Sequence, residues 1–263
     1  MNCSARRESS VTGAPVRSVV YSVAALLLSG SVSIAGADNT EELDDVAARV
    51  QYAFYTADAR ALEEVLALID GMEVDVGLIA IKSYHAAYGR WRLAQIYAAT
   101  VATDRSQSGA RAASARAAET CAKDAQAAVA ADARMAEAYA IHAVCDGFSP
   151  AGEKTACRTK SLRTATSLAP ANPRVRFIEA LCAGDKSDPR RLRDVVAAFE
   201  AAPPRLTGKP DWGHAEALTM LGGSYLTSGD PVAARDALER ALVIAPDYRE
   251  AQELLQTAAA RPR

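Results

Sequence analysis

Between positions 218 and 246 the apolar and small residues are spaced so that few folds remain open to the chain. Leu218, Leu221 and Tyr225 recur at helical spacing and make one apolar face, while Gly222 and Ala234 lack bulk where two antiparallel helices would touch. Gly229-Asp230 breaks the chain between them, and Leu238, Ala241 and Leu242 give the second helix its facing stripe. Pro246 is badly tolerated inside a helix, so it belongs to the link before a further helix that begins near Asp247 and carries Ala251, Leu254 and Leu255.

This set of positions resembles one tetratricopeptide (TPR) repeat, a helical hairpin of about 34 residues, at nearly every signature position. Elsewhere the resemblance is weaker. Ala136, Tyr139 and Ala143 open an earlier repeat, Leu162 and Ala165 fall at its second-helix positions, and Pro170 closes it. Another starts at Pro173, with Ala180 at the small position and Val195, Ala198 and Pro203 late in it; it lacks the large first-helix aromatic and the leucine before Ala180. Residues 207–212 read as a loop insertion. The resemblance implies an all-α, TPR-like α-solenoid of antiparallel helical hairpins with a C-terminal capping helix. It also implies protein or peptide partners on a concave face lined by the first helix of each repeat. The groove positions fall on Glu216, Thr219, Gly223 and Leu226 in one repeat and on Glu137, Ala140 and Val144 in the earlier one. These are small and weakly charged, unlike the basic carboxylate clamp of chaperone-binding TPRs.

Upstream, residues 38–134 read as divergent, enlarged hairpins, and 135–263 as the TPR repeats with their capping helix. Asn39 with Glu42 looks like a helix start, followed by Leu43, Val46, Val50 and Phe54 at helical spacing. A second amphipathic stretch carries Leu62, Val65, Leu66 and Ile69 and ends at Gly71. A long helix is expected over 77–101, and residues 103–109 turn the chain into another, alanine-rich helix ending near Ala131.

Half of the residues are apolar but only 6% are aromatic, and alanine dominates, which suits closely packed helices better than a β-rich core. Residues 19–34 form an apolar segment interrupted by serines, preceded by arginines and followed by Ala35-Gly36-Ala37. That order reads as a secretory signal peptide over 1–37, cleaved before Asp38, leaving 38–263 as the mature domain. An uncleaved membrane anchor is the alternative, against which the short, serine-rich composition argues. The formal charge is −2, and the basic leader with Arg6, Arg7 and Arg17 against Glu8 leaves −4 for the remainder, which gives no electrostatic case for nucleic acid. A periplasmic or secreted protein with no stable membrane span after cleavage is expected.

Of the five cysteines, Cys121, Cys145, Cys157 and Cys182 remain after processing. They lack close CxxC pairs and nearby histidines, so no metal site is expected, and an even number in an exported chain favours disulfides. The near-equal intervals place each pair between one repeat's second helix and the next repeat's first, predicting Cys121–Cys145 and Cys157–Cys182. A hairpin-internal Cys145–Cys157 pair and buried free thiols stay open.

Surface chemistry concentrates, if anywhere, on the long helix. Tyr84, Tyr88, Trp91 and Gln95 follow i, i+4, i+7, i+11 spacing, with His85, Arg90 and Arg92 beside them. Such a stripe either lines a groove, where aromatic faces and an arginine hold a peptide or small ligand, or packs against neighbouring helices, which is the commoner case. His85, His142 and His214 are isolated, and His142 falls at a core-facing position, so it reads as a satisfied interior histidine. Asp44-Asp45 and Glu63-Glu64 read as solvated faces. There is no Gly-x-Ser-x-Gly, no phosphate-cradling loop and no His-Glu-x-x-His. The expectation is a non-enzymatic, cofactor-free binding or assembly module; a periplasmic small-ligand or transport accessory protein is the alternative, with an enclosed pocket rather than an open groove as the distinction.

Overall fold

The computed structural model describes residues 35–104, 106–145, 160–183, 188–202 and 212–260. Among these the chain is all-helical, with no strand. The helices are α1 (Ala35–Tyr55), α2 (Ala59–Gly71), α3 (Ile79–Thr103, entered through a 3-10 turn at Val76–Leu78), α4 (Ser108–Ala131), α5 (Ala136–Cys145), α6 (Lys160–Leu168), α7 (Pro173–Cys182), α8 (Pro189–Ala201), α9 (His214–Ser228), α10 (Pro231–Ile244) and α11 (Arg249–Ala260). No described helix is long and apolar enough to cross a membrane. The proposed signal segment, residues 1–34 of it, lies outside the described residues.

Local chemistry sets most boundaries. Asp58, Asn172, Asp188 and Asp230 cap α2, α7, α8 and α10 by accepting backbone N–H bonds from residues two or three positions on. Proline occupies the first turn of α7, α8 and α10, where its missing N–H costs nothing. Gly229 ends α9 with φ +83°, a left-handed conformation that an L side chain resists. One expected start is displaced: α1 begins at Ala35, so Asn39 lies inside the helix rather than capping it. Ala35, Gly36 and Ala37 contain no helix stop, and alanine carries the helix through.

Each helix packs on the next, and α1 on α3, α3 on α5, α5 on α7 and α9 on α11 as well. The long α3–α4 pair makes the most extensive of these contacts. The apolar stripes read from the sequence fill the interior: Leu43, Val46, Val50, Leu62, Val65, Leu66 and Ile69 from the first hairpin, and Leu218, Leu221, Leu238, Ala241 and Ala251 from the last three helices. In α7 the core aromatic is Phe177, 2% exposed, although the sequence reading found none in that repeat.

Two glycines permit close approach between helices. A Cβ on Gly222 would lie 2.5 Å from Leu238 Cγ, and one on Gly89 would lie 2.9 Å from Leu66 Cδ2. Gly222→Ala should therefore lower stability by about 1–3 kcal/mol through overpacking, even though alanine favours a helix over glycine by about 1 kcal/mol. Urea unfolding checks this; unchanged or raised stability would show that α9 and α10 tolerate a methyl group at their contact.

Cys121 and Cys145 form a buried disulfide between α4 and α5, with Cα atoms 5.7 Å apart, as the spacing predicted. That bond excludes the Cys145–Cys157 alternative. Cys182 is also disulfide-bonded; Cys157 lies outside the described residues, and the expected Cys157–Cys182 pair with it.

Candidate ligand cavity beside an aromatic–arginine cluster

The odd-numbered helices turn their polar and aromatic side chains toward one another, and two buried arginines organise what lies between them. Arg92 on α3 is 1% exposed. Its Nη2 donates to Glu216 Oε1 on α9 at 2.5 Å and its Nη1 to Gln95 Oε1 at 3.0 Å. Its guanidinium carbon stands 4.0 Å from the Trp91 ring centre and 4.2 Å from that of Phe54, with Tyr88 and Trp212 slightly farther away. Glu216 Oε2 in turn accepts from the Gly213 N–H at 2.7 Å and from the Tyr55 hydroxyl at 3.1 Å, and Gln51 Nε2 donates to that hydroxyl at 2.7 Å. Tyr55 packs on Tyr248, ahead of α11, with ring centres 4.6 Å apart.

The second arginine, Arg174 on α7, is 4% exposed. It donates through Nη1 to Glu137 Oε2 on α5 at 2.8 Å and through Nε to the Trp212 carbonyl at 3.3 Å. Glu137 also accepts from the Tyr84 hydroxyl at 2.7 Å and from Asn172 Nδ2 at 3.0 Å. Trp212 Nε1 donates to the same Tyr84 oxygen at 2.8 Å, and the Trp212 ring stacks on Tyr88 with centres 5.0 Å apart. Burial alone would raise the Glu137 carboxyl, but Arg174, Asn172 and Tyr84 outweigh it and hold the group below the usual carboxylate range. Burial pushes the Tyr84 hydroxyl well above its ordinary value and that of Tyr88 up to about 12.

A cavity of about 410 Å³ opens against this second network. Tyr84, Tyr88, Trp212 and Glu137 bound it, α1 contributes Asp44, Ala47 and Gln51, and Arg134 and Met135 stand ahead of α5. The stripe on α3 is thus divided. Tyr84 and Tyr88 line the cavity, whereas Trp91 at 1% exposure and Arg92 are interior and Gln95 is half-buried beside Arg92. A partly exposed Trp91, the expected mark of a recognition anchor, is not found: its indole packs against Arg92, Tyr88 and Trp212.

Most of the groove positions inferred from the repeat pattern are likewise covered, Gly223 and Glu137 being half-buried. Glu216, Thr219, Leu226, Ala140 and Val144 are buried, and only Glu137 among the charged ones reaches the cavity. Asp44, read as part of a solvated face, is half-buried in the cavity lining. His142 is half-buried with Nδ1 2.7 Å from Ser161 Oγ, so its interior reading holds only in part. Trp212, Arg174 and Asn172 escaped the sequence reading. Trp212 follows an aperiodic stretch, and nothing local tells a loop tryptophan from a buried one; an arginine just after the Asn-Pro helix start was the only available sign of Arg174.

Compared with known proteins, the chain matches no family model and no curated protein.

Proposed function

We propose that the chain is a non-enzymatic, TPR-like helical-repeat binding module, exported to the periplasm or beyond after removal of residues 1–37, and that it takes a small ligand in the cavity bounded by Tyr84, Tyr88, Glu137 and Trp212. The observation that carries this reading is the filling of the space between the odd-numbered helices: Arg92, Glu216 and six aromatic rings occupy what an extended peptide would need. What remains is a bounded volume of about 410 Å³, within the roughly 300–1,000 Å³ range of small-molecule sites. A catalytic role fits poorly. The Glu137 carboxylate is held ionised and engaged on both oxygens, which suits neither a general acid nor a general base at neutral pH.

A thermal-shift screen of small metabolites against the wild-type protein and a cavity-filling Ala47→Trp variant tests it. Compounds that stabilise the first and leave the second unmoved support the reading. A second reading, a protein or peptide partner, is favoured by Val232 at 63% and Val243 at 83% exposure, three turns apart on one side of α10. Failure of the screen together with a periplasmic partner captured by wild type and lost in Val243→Glu transfers the function to that surface.

A further inference from the structure

Resting on the small-ligand reading, we infer that the cavity selects a small monocarboxylic acid with an apolar, ring-sized body: the carboxylate is held at the mouth by Arg134 and the body lies against Tyr88 and Trp212. Apart from the Tyr88 hydroxyl, which is buried out of reach without a hydrogen-bond partner, the polar groups of the cavity floor are engaged with one another. Tyr84 donates to Glu137 and accepts from Trp212, Asn172 donates to Glu137, and Arg174 is committed to Glu137 and the Trp212 carbonyl. A guest carrying hydrogen-bonding groups at its inner end would have to break bonds it could not replace in kind, so the inner end that fits is apolar. The walls offered to it are aromatic and aliphatic, with Ile81, Met135 and Ala169 around the stacked Tyr88–Trp212 pair.

The mouth differs. Arg134 lines the cavity yet is exposed, and no ion pair reaches its guanidinium among the described residues; only its backbone N–H is engaged, by Asp132. An arginine fork in that position pairs with a carboxylate through charge-assisted bonds. The remaining charged or titratable groups facing the space limit the guest to a single negative charge. Glu137 is neutralised by Arg174, His85 lies on α3, and Asp44 lines the space from α1. A second carboxylate directed toward α1 would meet Asp44.

Isothermal titration of the exported protein with 3-phenylpropionate, 3-phenylpropanamide and the uncharged dipeptide N-acetylglycylphenylalaninamide tests the assignment, with Arg134→Gln and Ala47→Trp as variants whose folding is verified by circular dichroism. The acid should bind. Its affinity should fall about tenfold in Arg134→Gln, the effect of losing one charge-assisted hydrogen bond, and the amide should show the same deficit against wild type. Binding should vanish in Ala47→Trp. Equal binding of acid and amide, unaffected by Arg134→Gln but abolished by Ala47→Trp, overturns the carboxylate assignment while the cavity remains a ligand site. Tighter binding of the peptide than of the acid overturns the small-ligand part. No binding of either phenyl compound overturns the inference, and the metabolite screen then decides separately whether the cavity holds any ligand.

Discussion

Glu216→Ala should lower the free energy of unfolding by about 3–5 kcal/mol, because it leaves a buried guanidinium without its carboxylate. Arg92 is 1% exposed, and neither the surrounding rings nor Gln95 carries a formal charge to offset its own. The same substitution strands the Gly213 N–H and the Tyr55 hydroxyl that Glu216 accepts. Removing both charges, as Arg92→Met with Glu216→Leu, should cost much less than either single change to alanine, since the penalty lies in the uncompensated charge. A double-mutant cycle in urea measures this, and a Glu216→Ala loss below about 1 kcal/mol would show that the pair is solvated. Trp91→Ala belongs to the same cluster. As a core truncation it should cost about 3–5 kcal/mol, against a change within about 0.5 kcal/mol for an exposed anchor.

Alkali should unfold the protein steeply above pH 10. Burial raises the hydroxyls of Tyr55, Tyr84 and Tyr248 far above their ordinary value of 10.0 and that of Tyr88 to about 12. In the unfolded chain these groups ionise near pH 10 while the folded protein keeps their protons, so the unfolded state binds fewer protons and stability falls as pH rises. Their contribution is complete below pH 10 and is lost through the folded values, for Tyr88 between 10 and about 12. Each such tyrosine withdraws about 1.4 kcal/mol per pH unit. Four together exhaust an ordinary stability of roughly 5–15 kcal/mol within about three pH units. Tyrosinate absorbance and far-ultraviolet circular dichroism should change together. Ionisation of all tyrosines near pH 10 with the helices intact would contradict the burial of these rings.

The helices were legible because their signals are local. Asp58, Asn172, Asp188 and Asp230 mark starts, Gly229 a stop, and the stripes around Leu62–Ile69 and Leu218–Leu242 repeat with the helical period. The first disulfide was legible for a related reason, since equal spacing across successive hairpins brings matching positions together. The site was legible only in fragments. Tyr84 and Tyr88 were picked out by spacing, but spacing gives a face and not its neighbour, so the stripe alone could not separate cavity from core. Arg92 meets Glu216 from 124 positions away. That partnership depends on how the intervening helices pack on one another, which no window of sequence contains. In hindsight a charged residue set between Trp91 and Leu93-Ala94 was the sign of a buried counter-charge.

The meeting of the first and last hairpins changes how the domain can come apart. In an open array each repeat touches only its neighbours, so repeats are lost from an end one at a time and stability grows with their number. Here the end of α1 is tied to α9 through Tyr55 and Glu216 and to the approach of α11 through the Tyr55–Tyr248 stack. α3 is bound across the same gap by Arg92 and by the bond between Tyr84 and Trp212. Fraying of α9–α11 would strip the partners from the first three helices at once. The two ends of the described helical unit are clasped to each other, and its local units should come apart in a single cooperative step rather than link by link.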